Sequence, residues 1–448
     1  MNNEHCKNCP LIEEIAKLRA EIEALKKELE KYQKPAKDSS NSSLPPSTDK
    51  NKKYPEREKS GKKPGGQFGH KGYTRMFSET PDEIVELYPE TCQCCGNDQF
   101  IKTGNILDKR QLIDIPPITA HVIEYQQKAG ICSKCGHRNL GKFPVNSKIQ
   151  FGDRIRALIG YFHVMNHLSY ERLKKTFNDI FSIDISKGTI DNKIKELEIK
   201  LTPAYFDILE NLKHSNVIGS DETGMRINST NSYIWTFQNE MNTLFKNADS
   251  RGFKVIEETI GEEFQGSWVS DRLGSQLKIK ADHQLCLPHL IRDCKYIEEV
   301  EKSKWAKKLR KFFEKSIKFK KEKGDSFKPL EANTFREVQK LKKELYKIFS
   351  KAPPQKEEKR LYNQLIGRQN QLILFLDKPE VPHDNNGSER ALRNRVVHRK
   401  VAGCFRSNRG ANSQDVIASI IETTKKRGLN ILDSLYMICS NSQNLLTT

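Results

Sequence analysis

The sequence lacks any run of about 18 consecutive apolar residues, the length that a helix needs to cross a bilayer. Its first residues, MNNEHCKNCP, lack a basic flank followed by an apolar stretch, so no secretory leader is expected. The 11 cysteines are an odd number, and they occur as CxxC pairs and scattered singles, which does not suit a disulfide framework. These absences predict a cytoplasmic protein, not a membrane or secreted one.

Acidic residues are too few to balance the basic ones. The 77 Lys and Arg residues exceed the 58 Asp and Glu residues by 19 in a chain of 448 residues. Such an excess predicts a polyanionic partner, and the length suits about three domains. Charge alone does not separate a nuclease from a regulator or a ribosomal factor, so its distribution must be examined.

The first helical segment carries a heptad repeat from Leu11 to Tyr32. Isoleucine at the a positions Ile15 and Ile22, with leucine at the d positions Leu18 and Leu25, favours a parallel two-stranded coiled coil. An amphipathic helix packed on its own domain is the alternative reading. Three heptads are marginally stable alone, so we expect the coil to assist a homodimer and not to create it.

The residues after Pro35 are rich in Ser, Pro, Gly and Lys and too polar to form a core. From Lys50 to Arg75 there are nine basic residues against Glu56 and Glu58, a net charge of +7. A flexible basic arm of this kind can follow a phosphate backbone, and a simple solvated tether is the alternative.

Two CxxCG motifs, with 36 residues between Cys95 and Cys132, predict a structural zinc site in a zinc-ribbon-like module. The two-residue gap lets neighbouring thiolates bind one ion, and the intervening RQLIDIPP and HVIEYQQKAGIC read as short strands. Cys94 leaves open which thiols of the first motif bind, and a metal at the isolated pair Cys6 and Cys9 has little support. The predicted zinc ligands are Cys92, Cys95, Cys132 and Cys135.

Residues 153–200 read as paired helices, with Ser186 as a cap of the second one. Exposed Lys187, Thr189, Asn192 and Lys193 on that helix would suit a recognition helix in the DNA major groove. A plain helical hairpin explains the same pattern equally well.

Two aspartates each follow a short apolar stretch that reads as a strand, Asp221 after NVIGS and Asp271 after GSWVS. Alternation along the first strand directs Asp221 and Glu222 to opposite faces. Two such aspartates form a hard-oxygen site suited to Mg²⁺ or Mn²⁺, although Asp also ends strands as a turn former.

A third carboxylate, Glu389, lies in the first turn of a predicted helix and is followed by seven basic residues from Arg390 to Arg409. Asn386 and Glu389 have capping-box spacing, so Glu389 could be a structural cap. The basic stripe instead suits a metal ligand whose neighbours hold phosphates.

The motifs NSSLPPSTD, GKKPGGQFGHKG, CxxCG twice, SDETGMRIN, VSDR, CLPHLIRD, NNGSERALR and RKVAGCFRSNRGA follow one another as in insertion-sequence-66 family transposases. The chain resembles that family over nearly its whole length. The resemblance implies a DDE transposase with an α/β, RNase H-like core, a catalytic triad of Asp221, Asp271 and Glu389, and two bound Mg²⁺ (or Mn²⁺) ions. It also implies DNA as partner, both transposon ends and target, and companion proteins of the same element.

The expected domains follow from these assignments. In order they are a coiled-coil helix (1–34), a basic arm (35–77), a zinc module (78–150), a helical DNA-binding region (151–214), the first part of the core (215–292), a helical insertion (293–375) and the second part of the core (376–448). The candidate DNA contacts are Lys62, Lys63, Lys71, Arg390, Arg393, Arg399, Lys400 and Arg406.

Three points stay open in the sequence. Cys286 and His289 could bind a second metal, although a packed cysteine and a hydrogen-bonded histidine are favoured. The basic start of the insertion, residues 304–323, suits either a solvated helix face or a DNA contact. A catalytically inactive, zinc-containing DNA-binding protein and an RNA-processing nuclease are the alternatives to the transposase.

Overall fold

A computed structural model describes residues 10–32, 69, 71–72, 75–102 and 104–440. They fall into two units, one formed by residues 51–122 and the other by the residues before and after that range. Among the described helices, none has the length and apolar character that would let it traverse a lipid bilayer.

The larger unit contains a mixed five-stranded sheet. Its strands are β3 (Val217–Ile227), β4 (Thr230–Gln238), β5 (Thr243–Ala248), β6 (Glu263–Ser270) and β7 (Lys280–Leu285), in the order β5-β4-β3-β6-β7. Strands β3 to β5 form an antiparallel meander, whereas β6 and β7 join it in parallel. The expected α/β core is therefore present, and the strand predicted at GSWVS is confirmed by β6.

Helices follow and precede this sheet. Before it come α1 (Pro10–Tyr32), α2 (Asp153–Gly160), α3 (Tyr170–Phe181) and α4 (Lys187–Lys213), and α5 (Lys254–Thr259) lies between β5 and β6. After it come α6 (Leu287–Glu301), α7 (Lys304–Lys323), α8 (Ala332–Phe349), α9 (Lys356–Leu365), α10 (Leu374–Asp377), α11 (Asn386–Ala402), α12 (Asn408–Lys426) and α13 (Ile431–Cys439).

Two apolar cores divide the larger unit. One packs α2, α4 and α12 against β3, β4 and β5, with Trp235, Phe237 and Trp268 fully buried at its centre. The other is built by α6 to α10, and residues of β6 and β7 reach into it through Val269 and Leu285. The helical segment after β7 thus has a core of its own, as expected for an insertion.

The edge strand β5 is closed by side chains of α12. The backbone N–H groups of Thr243, Phe245 and Asn247 donate to Thr423 Oγ1, Ser419 Oγ and Asp415 Oδ2, at 3.0, 2.8 and 2.6 Å. Every second strand residue meets every fourth helix residue because two strand steps span about 6.7 Å and four helix steps about 6 Å. An exposed row of strand donors is thereby removed from solvent.

The helical region before the sheet corrects one expectation. Ser186 caps α4, as predicted, by accepting a hydrogen bond from the Thr189 N–H at 3.1 Å. Lys193, however, is buried and donates to Glu196, so it does not belong to an exposed recognition surface. The helical period places position 193 beside buried Ile194 and Ile190.

The predicted zinc-ribbon strands are only partly present. Residues 110–117 form no strand, and the expected strand over 121–132 is confined to β1 (Ala129–Ile131), which pairs with β2 (Arg138–Leu140). Apolar residues of the first stretch, such as Leu112 and Ile115, are largely exposed and have no apolar face to cover. In α1, the side chains of Ile15, Leu18, Ile22 and Leu25 are about half exposed, and pairing of the coil stays a prediction.

The buried ion pair between Arg395 and Asp415 gives the first test. Asp415→Asn keeps an acceptor for the Asn247 N–H but leaves the Arg395 guanidinium uncompensated, so we expect a loss of about 3–5 kcal/mol in the free energy of unfolding. Urea denaturation measures it. The matched control is Glu258→Gln, which breaks the exposed pair with Lys254 and should cost at most about 1 kcal/mol. Equal losses would contradict this role for the buried pair.

Candidate catalytic centre

Asp221 and Asp271 lie at equivalent positions of two neighbouring parallel strands. The parallel pairing of β3 with β6 ends at the pair Gly219–Val269. Asp221 stands two residues further along β3, and Asp271 stands two residues further along the chain, directly after β6 ends at Ser270. Residues two apart in an extended chain point to the same side. The prediction that Asp221 ends its strand is wrong, because β3 continues to Ile227 in a hairpin with β4. Asp221 lies two residues past the end of the parallel pairing instead.

Glu222, the next residue, is occupied elsewhere. Its carboxylate forms an ion pair with Arg251 and accepts a hydrogen bond from Gln276 at 3.3 Å. Alternation along β3 separates it from Asp221, as the sequence indicated. Glu222 is therefore held by a basic partner, whereas the Asp221 carboxylate accepts a hydrogen bond from the Glu222 N–H at 2.9 Å.

Glu389 reaches the site from the first turn of α11, and Asn385 anchors that turn. The Asn385 side-chain amide donates to the Ser220 carbonyl at 2.8 Å, immediately before Asp221, and its backbone N–H donates to Cys286 Sγ at 3.3 Å. The N-cap residue is Asn385, which makes no side-chain capping bond, and the Asn386 N–H instead donates to Asp384 Oδ1 at 3.0 Å. The capping-box reading of Asn386 and Glu389 is therefore not supported.

Two glycines permit this close approach. A Cβ atom on Gly219 would lie 2.4 Å from Gln238 Nε2 and 2.9 Å from Ser388 Oγ, and one on Gly387 would lie 2.6 Å from the same Gln238 nitrogen. Gln238 cannot easily yield, because Lys426 donates to its Oε1 at 2.6 Å. The glycines of the NVIGSD and NNGSE motifs are thus explained by packing between β3, β4 and α11.

Burial and neighbouring carboxylates raise the pKa values of Asp221 and Glu389. Burial, followed by the charges of Glu222, Asp271 and Glu389, raises the pKa of Asp221 well above its usual range. Burial also raises the pKa of Glu389, against the influence of Arg292 and Arg393. Mutually repelling carboxylates that are partly desolvated form a site that a divalent cation would neutralise. The donor set therefore fits Mg²⁺ or Mn²⁺.

The helical segment from α6 to α10 supports the strand-to-helix connection that leads to Glu389. Lys320 of α7 donates to the carbonyl oxygens of Phe375, Pro379 and Val381 at 2.8–2.9 Å. Burial lowers the pKa of this lysine to about 8. Its three bonds fix the backbone just before Asn385, so the second apolar core is tied to the catalytic candidate.

Cys286 and His289 lie beside Glu389. His289 Nδ1 is 3.2 Å from Cys286 Sγ and 3.9 Å from Glu389 Oε1. The three ligand atoms all lie within 4.8 Å of one another, a grouping of metal-binding side chains within the described residues. Burial lowers the pKa of His289 to about 4 and raises that of Cys286 to about 12.

The two CxxCG motifs have the same local geometry. The Gly96 N–H donates to the Cys92 carbonyl at 2.9 Å, and the Gly136 N–H donates to the Cys132 carbonyl at 2.9 Å. Both glycines have positive φ. Hydrogen bonds within each motif lower the pKa of Cys92 and of Cys132. In each motif the side chain of the first cysteine is hydrogen-bonded to the side chain of the cysteine three positions later. In the first motif this side-chain partner is Cys95 and not Cys94.

The predicted DNA contacts differ in their placement. Lys62 and Lys63 fall outside the described residues, and Arg399 is half buried, with its guanidinium donating to the Gly224 carbonyl. Arg395, another member of the basic stripe, is buried. The exposed members are Lys71, Arg390, Arg393, Lys400 and Arg406.

Sequence reasoning missed the residues that hold the site together. Asn385, Gln238 and Lys320 have ordinary polar side chains, and the sequence around each of them does not indicate a contact with a distant segment. The glycines offered a usable signal, since Gly219 interrupts an otherwise apolar strand, a place where another group often approaches the backbone.

Comparison with known proteins adds three findings. A model of the transposase IS66 family matches residues 148–413, more than half of the chain. A model of a family of unknown function matches residues 7–76. Over 90 residues the chain is 31% identical to an uncharacterised protein, y4jO, of Sinorhizobium fredii, a match that covers 20% of this chain and 28% of that protein. The chain thus spans little more than a quarter of that relative.

The packing around Gly219 gives the second test. Gly219→Ala forces a methyl group against Gln238 and Ser388, so we expect about 1–3 kcal/mol of destabilisation and a displaced α11 start. Gly224→Ala is the control in the same strand, because no atom lies within 4 Å of its added Cβ. Thermal unfolding compares them. Equal stability of the two variants would show that the close approach is unimportant.

Proposed function

The chain belongs to the IS66 family of transposases, and on that premise we propose that it is a DDE-type enzyme that cleaves DNA at transposon ends and transfers the strands into target DNA. The observation that supports the proposal is electrostatic: the charges of Asp271 and Glu389, from two other parts of the sequence, both raise the pKa of Asp221. Strand order and connection also suit the proposed RNase H-like core.

The chemistry assigned to this centre is phosphoryl transfer. Two divalent cations bound there would activate the attacking oxygen and stabilise the leaving 3′ oxygen. Asp221 and Asp271 would hold such ions from adjacent strands, and Glu389 would complete the set from α11. The first step hydrolyses the strand, and the freed 3′-hydroxyl then attacks target DNA, so no side chain has to act as a covalent nucleophile.

The charge distribution supports a DNA path beside this centre. Arg390 and Arg393 follow Glu389 directly on the exposed side of α11, and Lys400 continues that side two turns later. On α7, Lys307, Lys308 and Lys311 are exposed as well. These groups would hold phosphates without reading sequence, and binding should weaken steeply as salt rises.

The remaining assignments complete the proposal. We also propose seven domains with the boundaries expected from the sequence, a homodimer formed through α1, and assistance by companion proteins of the same element. One structural zinc joins the two CxxCG motifs, supported by their matching turns and lowered thiol pKa values.

The triad gives the third test. Asp221→Asn, Asp271→Asn and Glu389→Gln should each lower Mg²⁺- or Mn²⁺-dependent nicking of the element's own ends by roughly 10³-fold or more, because several kcal/mol of transition-state stabilisation depend on the ions. Glu263→Gln, at the opposite end of β6 from Asp271, is the control and should cleave like the parent. Binding to the same duplex, measured by gel shift, should survive in all four.

Three outcomes would go against this proposal. A parent protein that binds the ends and never nicks them would indicate an inactive DNA-binding descendant. Triad variants that cleave like the parent would remove the assigned residues. Cleavage of structured RNA, with indifference to the repeated ends, would favour an RNA-processing nuclease.

The zinc assignment gives the fourth test. Cys132→Ser should lose bound zinc, as measured by elemental analysis of the purified chain, because a tetrahedral site needs all four thiolates. Cys94→Ser, in the first motif but outside the paired positions, should retain it. Unchanged zinc in Cys132→Ser, or its loss in Cys94→Ser, would refute the assigned ligand set.

A further inference from the structure

Three side chains of different chemistry meet at the edge of the carboxylate centre. Cys286 lies directly before α6, His289 is in its first turn, and Glu389 is in the first turn of α11. The sulfur-to-nitrogen distance is 3.2 Å and the nitrogen-to-oxygen distance is 3.9 Å. The third separation is also within 4.8 Å.

These separations suit a common metal ion. Tetrahedral zinc, with bonds of about 2.3 Å to sulfur and about 2.0–2.1 Å to nitrogen and oxygen, places its ligand atoms roughly 3.3–3.6 Å apart. The sulfur and nitrogen, 3.2 Å apart, are slightly closer than that, and the carboxylate oxygen, 3.9 Å from the nitrogen, is slightly farther, so small side-chain rotations would bring all three to this spacing. A thiol-to-imidazole hydrogen bond alone explains the first contact but gives no reason for the carboxylate to complete the triangle.

The surroundings prepare the sulfur for this role. Cys286 Sγ accepts the Asn385 backbone N–H at 3.3 Å, and such donors stabilise a metal-bound thiolate. Asn385 is itself held by the Ser220 carbonyl, so the thiol and the start of α11 are fixed together. His289 and Glu389 remain partly exposed, at 22% and 34% of their side chains, which leaves a path for an ion and a position for water.

We propose that Cys286, His289 and Glu389 form a site for a borderline divalent cation such as Zn²⁺, a site that shares Glu389 with the proposed carboxylate site for Mg²⁺. Sulfur and imidazole select Zn²⁺ over Mg²⁺, which prefers oxygen alone. Because Glu389 belongs to both sets, an ion bound to Cys286 and His289 withdraws it from Asp221 and Asp271. Zinc at this site therefore inhibits cleavage. The inhibition rests on the proposed function, whereas the binding does not.

Binding is tested without reference to activity. Co²⁺ added to the full-length chain, after one equivalent of zinc has been supplied for the proposed CxxCG site, should produce a thiolate-to-metal charge-transfer absorption. Cys286→Ser should abolish that absorption, and His289→Gln should weaken Co²⁺ binding by at least about tenfold. Cys294→Ser is the matched control, since Cys294 is a buried cysteine of the same helix outside the cluster. It should behave like the parent.

Inhibition is tested by titrating Zn²⁺ into a Mg²⁺-dependent nicking assay, with each variant scored against its own zinc-free rate. The zinc concentration for half inhibition should rise at least about tenfold in Cys286→Ser and stay unchanged in Cys294→Ser. A Cys286→Ser protein that folds, judged by its circular dichroism, and keeps the Co²⁺ absorption overturns the site. Cysteine-dependent absorption with zinc-insensitive cleavage overturns the inhibition. A parent that shows the absorption but never nicks DNA counts against the proposed function and supports the site.

Discussion

The bond from the Asn385 side-chain amide to the Ser220 carbonyl is the constraint on which the candidate centre depends. It joins the beginning of α11 to the strand residue just before Asp221, across 165 positions of sequence. Such a contact forms only if the helix start can lie almost against the strand. Gly219 and Gly387 provide that space, and Gln238 and Ser388 fill it with hydrogen-bonding groups. The position of Glu389 thus follows from backbone packing and not from the carboxylate itself.

This indirect support matters because the carboxylates oppose their own assembly. Burial and mutual repulsion favour the neutral form of Asp221, and without a cation their proximity destabilises the folded chain. The scaffold offsets that cost with contacts that do not involve the triad. Lys320 binds three carbonyls before the turn, and Lys426 binds Gln238 behind it. Rigid elements hold the ligands in place whether or not an ion is bound.

Much of the fold was accessible from the sequence because its signals are local. The strands around Trp235 and Trp268 alternate or run apolar, and Ser186 precedes an amphipathic helix. The features that could not be predicted depend on partners that are distant in the sequence. Asp221 looked like a strand end because the hairpin beyond it is polar, although pairing with β4 continues the strand. Asp415, Ser419 and Thr423 accept hydrogen bonds from the β5 backbone, but they are spaced four residues apart, as on any helix face. Their contact with β5 could therefore not be predicted from the sequence. The triad was reached through resemblance to a family, since strand-end aspartates alone are common.

Only part of the net charge of +19 lies on surface that is available to nucleic acid. In the basic stripe after Glu389, Arg395 forms an ion pair with Asp415 inside the core. Arg409 forms an ion pair with Asp191, and Arg399 donates a hydrogen bond to the backbone of β3. Arg395 and Arg399 hold α11 in place, and Arg409 joins the start of α12 to α4, while Arg390, Arg393 and Lys400 remain on the exposed side of α11. The same segment therefore positions a carboxylate by its buried charges and can attract phosphates by its exposed ones. The effect of a substitution in this stripe therefore depends first on burial. Loss of the buried Arg395 should destabilise the helix that carries Glu389, whereas loss of the exposed Arg393 should change only the electrostatic potential around Glu389.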